Sequence, residues 1–215
     1  MKKLLVFFLL ITFHFANAQK DVKIGTQIWM VENLNIGVFN NGEKIPKAQN
    51  IKDWKKAGEN KSPIWCYYNF DDKNAQKYGR FYNWYVIDDP RGIAPKGWHI
   101  PSFEEWNALL KVFESKNVKV NETLQKCFKN YGGYLYDGDS SPWFYDRGKV
   151  SYFWSSDFNT EFESNIVLFD KESVPHILDR DYSSKSHGLY IKCIKDSDNK
   201  INNREKQNSK KNDDF

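Results

Sequence analysis

The chain has 215 residues with a net charge of +4, of which 28% are charged and 17% aromatic. Eight Trp, twelve Tyr and sixteen Phe supply more burial than disordered chains carry. A mean hydropathy of −0.74, with no long apolar run after residue 18, excludes a multi-pass membrane protein. Three Cys are too few for a disulfide scaffold, and a near-neutral, Lys-rich charge leaves no footprint for nucleic acid.

The first elements form a leader. Lys2 and Lys3 precede the apolar run Leu4 to Phe13, and Ala16-Asn17-Ala18 offers small residues where a signal peptidase reads. That run is too short to cross a hydrocarbon core of ~30 Å, so residues 1–18 are expected to be a cleaved signal peptide rather than an anchor. The expected destination is exported: periplasmic, cell-surface or secreted. A domain at 19–195 then follows. Gly25-Thr26 between Val22-Lys23-Ile24 and Gln27-Ile28-Trp29 predicts a hairpin with a type II′ turn. Asn40-Asn41-Gly42 signals a second turn, whereas residues 47 to 63 read as polar and irregular apart from Trp54. Ile64 to Tyr68 is a strand-like aromatic run.

Two segments have helical spacing. Tyr78 to Asp88 places Phe81, Tyr82, Tyr85 and Val86 on one stripe. Ser102 to Phe113 opens on a capping box, Ser102 with Glu105, and sets Phe103, Trp106, Leu109, Leu110 and Phe113 on one face. Beyond Val120 the chain turns to Gly, Asp, Ser and aromatics, which predicts short strands and long loops. Ser151 to Ser156 and Asn165 to Asp170 are strand candidates, and Leu189 to Cys193 alternates so that Leu189, Ile191 and Cys193 share a face. Residues 196–215 carry balanced charge and almost nothing apolar, so a disordered polar tail is expected. The sum is an α+β domain with two helices in its first half.

Five motifs occur in order: IGTQIWMVENL at 24–34, YGRFYNWYVI at 78–87, RGIAPKGWHIPSFEEW at 91–106, FWSS at 153–156 and GLYIKCIKD at 188–196. Together they resemble the Fibrobacter succinogenes major paralogous domain, a family of exported bacterial proteins. GWHIPSFEEW is also similar to a stretch of formylglycine-generating enzymes and other C-type-lectin-like domains. That resemblance implies a C-type-lectin-like fold, with two helices beside a small twisted antiparallel sheet and a long loop region.

An oxidising compartment implies that two of the three Cys pair. Cys66 and Cys193 lie in segments where the resemblance is good, so Cys66–Cys193 is the expected disulfide, with Cys127 left over. The alternative is three unpaired, buried thiols. Formylglycine-generating enzymes bind copper with a close pair of late Cys. Here only Cys193 is late, and no His has nucleophile–base spacing to a Cys, so the expected reading is non-catalytic and without cofactor. His99, His176 and His187 lack zinc spacing, and His99, just ahead of the helix cap, reads as a structural, hydrogen-bonded side chain. The loops at Asp137 to Ser141 and Asp179 to Ser183 begin like calcium loops but lack the Gly and Glu that finish one, so no metal is expected.

Trp29, Trp84, Trp98, Trp106 and Trp154 sit inside the motifs and read as core. Recognition is left to the loop-rich half, where Trp143, Tyr145 and Tyr136 with Asp137 and Asp139 are the candidate ligand-binding residues. The expected function is an exported, non-catalytic binding module for a glycan or a surface protein. The alternative is a structural or adhesive surface component without a discrete small ligand.

Overall fold

The computed structural model describes residues 20–114, 122, 127–128, 130–139, 143–171 and 182–197. The leader, His176, Asp179, Asp181 and the tail beyond residue 197 lie outside the described residues.

Among the described residues, four α-helices and several small antiparallel sheets make a mixed α+β domain. Strands β1 (Asp21–Ile24) and β2 (Gln27–Met30) form the expected hairpin, with Gly25 at φ 60° where an L side chain is strained. Helix α1 (Ile51–Glu59) occupies part of the stretch that reads as irregular. Asn50 caps it by accepting from the amides of Lys52 (2.9 Å) and Asp53 (3.1 Å), and Trp54 is its one fully buried side chain.

The helix expected over Tyr78 to Asp88 is divided. Helix α2 (Ala75–Tyr78) stops at Gly79, which takes φ 70°. Strand β4 (Arg80–Tyr82) then pairs with β3 (Trp65–Tyr67), and helix α3 (Tyr85–Asp88) is a single turn. Phe81 and Tyr82 are both fully buried but in different core clusters, so a two-residue alternation explains them better than a helical stripe. Strand β5 (Trp98–His99) leads to helix α4 (Phe103–Glu114). The capping box forms as expected: the Ser102 amide donates to Glu105 Oε2 (2.9 Å) and the Glu105 amide to Ser102 Oγ (3.2 Å).

In the second half, β6 (Tyr134–Leu135) pairs with β7 (Phe144–Tyr145), and the long strands β8 (Val150–Phe158) and β9 (Glu163–Asp170) form a hairpin extended by β10 (Tyr182–Ser184). Strand β11 (Ile194–Lys195) returns between β2 and β5, completing a sheet of order β1-β2-β11-β5.

Residues 189–194 are the seam of the interior. Leu189, Ile191 and Cys193 enter one core cluster with Trp84 and Trp154, as their alternation predicts; Tyr190 and Ile194 enter the other with Trp29, Trp54 and Trp106. The backbone of the seam exchanges hydrogen bonds with Tyr82 and joins Leu34, Met30 and Trp154, tying both halves of the chain together.

The seam also accounts for a correction. Cys66, Cys127 and Cys193 are all free and buried, and the expected Cys66–Cys193 disulfide is not formed. Cys66 belongs to the first cluster and Cys193 to the second. Burial pushes all three thiols up, Cys193 to about 12, so none is poised as a thiolate.

Four of the five motif tryptophans are fully buried or nearly so, and Trp98 is half-buried. Their indole N–H groups bond inward: Trp84 Nε1 donates to the Ser155 carbonyl (3.1 Å) and Trp154 Nε1 to that of Tyr82 (2.8 Å). His99 is structural, its Nδ1 2.7 Å from Asp196 and its Nε2 2.8 Å from Glu105. Asp196, the first residue of the expected tail, is therefore buried at the end of the domain.

Candidate functional site

Five segments converge on an open groove of about 360 Å³. Helix α1 contributes Lys55, Gly58 and Glu59, with Lys61 just beyond it; α3 contributes Tyr85. Asp137 and Asp139 come from the loop after β6, Phe162 from the β8–β9 tip, and Ser184 and Ser186 from the end of β10.

Local chemistry brings these segments together. Trp54 Nε1 donates to the Ser186 carbonyl (2.8 Å), pinning α1 to the 184–187 turn. Gly58 permits that approach, because a Cβ there would stand 2.9 Å from Ser186 Cβ. The hairpin tip is held by Lys185, which is only 6% exposed. Its amide donates to the Phe162 carbonyl (2.9 Å), and its ammonium lies 4.2 Å from the ring centres of both Trp84 and Phe158. Burial lowers the pKa of that ammonium. Phe162 and Phe158 are thereby presented to solvent at 64% and 59% exposure.

Asp137 is the half-buried charge of the groove. Burial opposes its ionisation, but hydrogen bonds from His187 and Ser186 hold its carboxyl below the ordinary range. His187 Nε2 stands 3.3 Å from Asp137 Oδ1, and its Nδ1 stands 2.7 Å from the Ser183 hydroxyl. This run of Ser, His and Asp has the composition of a hydrolase relay. However, Ser183 is 7% exposed and is not on the groove wall, so its hydroxyl serves to fix the His187 ring and through it the Asp137 carboxylate. Lys55 pairs with Asp139 at 2.9 Å, and Lys61 pairs with Glu161 at the rim. Burial, with Asp137 and Glu161 adding and Lys61 opposing, raises the Tyr85 phenol and keeps it a neutral hydroxyl.

Of the candidate residues, the structure brings Asp137 and Asp139 to the groove wall. Tyr136 and Tyr145 lie beside it in a half-buried strip. Tyr136 packs on His187 (5.1 Å between ring centres) and Tyr145 on Tyr134 (5.7 Å), which in turn meets Tyr152 (4.8 Å). Trp143 goes elsewhere: it packs half-buried against the first core cluster, with Nε1 buried and without a hydrogen-bond partner. Sequence reasoning missed Lys55, Tyr85, Phe162, Ser184, Ser186 and His187. The Thr160-Glu161-Phe162-Glu163 turn between two apolar strands was the signal available for Phe162, since a lone aromatic at a hairpin tip has no core to enter.

A larger cavity, about 540 Å³, opens between residues 31–36, Ala75 to Lys77 and Cys127. None of the residues described on its wall is aromatic, and the Cys127 thiol beside it is pushed up by burial. Among the described residues there is no cluster of three or more metal-ligating side chains, and no helix long and apolar enough to cross a membrane.

The model of the Fibrobacter succinogenes major domain matches residues 22–195, from β1 to the last residue of β11. The chain belongs to this family. No curated protein and no solved structure matches it. The family match spans every wall of the groove, so the site lies within the Fibrobacter succinogenes major domain itself.

Proposed function

We propose that this chain is an exported, non-catalytic glycan-binding module of C-type-lectin-like architecture. The groove between α1 and the β8–β9 tip is its binding site. The observation that carries the reading is the pairing of an exposed ring, Phe162, with the ionised, half-buried Asp137 in one open groove. Sugars present C–H faces that stack on rings and hydroxyls that donate to carboxylates, so these two groups address both surfaces of one ligand. The tyrosine strip at Tyr134, Tyr136, Tyr145 and Tyr152 continues from His187 and extends the surface beyond one ring, which suits an oligosaccharide. The leader pattern at residues 1–18 supports an exported location, where polysaccharides are met.

The test is a printed glycan array followed by titration of the best binder. Phe162→Ala and Asp137→Asn are each expected to weaken binding at least about tenfold. Both are expected to keep unfolding stability within about 1 kcal/mol of wild type, because neither side chain is in the core. Full-strength binding by both variants would remove the groove as the site. Absence of binding across the array would overturn the reading in favour of a purely structural surface role.

A further inference from the structure

We infer that Lys61 is a ligand-binding residue of the groove, set at a helix terminus whose backbone favours glycine because its ammonium belongs to the site. The inference rests on the glycan-binding reading above and adds a residue whose presence fold stability does not explain.

Helix α1 ends in a Schellman motif. The Ser62 amide donates back to the Ala57 carbonyl (2.8 Å) and the Lys61 amide to that of Gly58 (3.0 Å), closing the last turn around the cap residue Asn60. Such a closure puts the residue after the cap in the left-handed region, and Lys61 has φ 51°. Glycine takes that conformation freely, whereas an L side chain there brings Cβ against the following carbonyl. Four other non-glycine residues among those described have a positive φ. Asn69 and Asp146 are of the types that tolerate it, Phe70 packs against the first core cluster, and the Tyr131 amide donates to Ser151 Oγ (2.7 Å). None of these four lines the groove, and Lys61 does.

The contacts of the lysine do not offset its strain. Its ammonium pairs with Glu161 and lies 5.4 Å from the centre of the Phe162 ring. The side chains of Lys61 and Glu161 are 49% and 67% exposed, and Phe162 is exposed as well, so water competes for both contacts. What the position supplies is reach. From the end of α1 the side chain crosses to the β8–β9 tip and sets its ammonium over the ring assigned to stacking. An ammonium has three N–H donors, of which the Glu161 pair uses one. A sugar stacked on Phe162 therefore has a donor at hand for a hydroxyl oxygen, where Asp137 only accepts. Strain that packing does not account for, on the wall of a groove, is the pattern of a residue placed for its ligand.

The experiment measures thermal unfolding of the ligand-free full chain, and its binding to an array of β-glucan, xylan and mannan oligosaccharides with titration of the tightest binder. Lys61→Gly removes the strain and the ammonium together. Lys61→Met keeps the strain and the reach of the side chain and removes only the ammonium. Lys61→Gly is expected to raise Tm by about 2–4 °C and to weaken binding about fivefold or more. Lys61→Met is expected to stay within about 1 °C of the wild-type Tm while weakening binding as much. Wild-type affinity in either variant overturns the assignment of Lys61 to the site. A Tm for Lys61→Gly no higher than wild type overturns the claim that stability does not explain the lysine. Phe162→Ala and Asp137→Asn are titrated alongside. If those two lose binding while both Lys61 variants keep it, the glycan-binding reading stands and only this inference falls. Absence of binding by the wild-type chain overturns both.

Discussion

The interior and the groove use the same residue types to opposite ends. In the two core clusters, aromatic rings are enclosed, and the indole N–H groups of Trp54, Trp65, Trp84 and Trp154 donate to backbone carbonyls. At the groove, Phe162 stands at 64% exposure, its carbonyl accepting from the Lys185 amide, and its ring has no polar atom to satisfy. In the interior the acidic and basic groups are few and locked, such as His99 between Asp196 and Glu105; at the groove they are numerous, opposed in sign and open to solvent. The difference teaches that aromatic content alone does not locate a site in this chain. What locates it is an aromatic ring kept outside by something built to keep it there.

That contrast is testable from its strongest side. Trp154→Ala should cost about 3–5 kcal/mol in urea unfolding, since it empties a fully enclosed volume and removes one of the two hydrogen bonds that the Tyr82 carbonyl accepts. A cost near that of a surface change would place Trp154 outside the scaffold. Next comes Lys192, which is fully buried and donates to the Val31 carbonyl (2.6 Å). Burial lowers its ammonium from 10.5 to about 8. Between those two pH values the unfolded chain holds more protons than the folded one, so stability rises with pH through that window. The wild-type advantage over Lys192→Met should therefore grow by roughly 3 kcal/mol from pH 8 to pH 10.5. A flat difference would mean that Lys192 is hydrated.

The thiols test the same enclosure chemically. Alkylation of the unfolded, unreduced chain should label all three Cys, and alkylation of the native chain should label none at a comparable rate. A single labelled thiol in the unfolded chain, at Cys127, would restore the Cys66–Cys193 bridge. The smallest expected change is the stability of Phe162→Ala, under about 1 kcal/mol, while its glycan binding falls sharply. A loss as large as that of Trp154→Ala would put the hairpin tip in the scaffold and erase the distinction between the two regions.

Legibility in the sequence followed how local each determinant was. The Gly25 hairpin, the Ser102–Glu105 capping box and the alternation of Leu189, Ile191 and Cys193 are set by neighbours within a few positions, and all three formed. Strand β4 was misread as helix because Phe81 and Tyr82 are buried on opposite faces, which puts apolar residues at adjacent positions that mimic helical spacing. Helix α1 was missed because a helix lying on the surface needs only one deep anchor, Trp54; the Asn50 cap followed by Asp53 was its local signal. The disulfide failed for a nonlocal reason, since strand membership does not say which of two clusters a thiol enters. The site was legible in Asp137 and Asp139, but the partners that give them chemistry arrive from α1, α3 and β10, far away in sequence.

The position of the seam has a consequence for biosynthesis. Residues 189–194 close both clusters and bond to segments as early as Met30 and Leu34, yet they lie at the far end of the matched domain. Until they emerge, each half of the domain lacks the strand that would seal it, so the domain stays open until its last segment is made. Stalled nascent chains ending before residue 189 should accordingly remain protease-sensitive, and those carrying residue 196 clear of the exit tunnel should become resistant in one step.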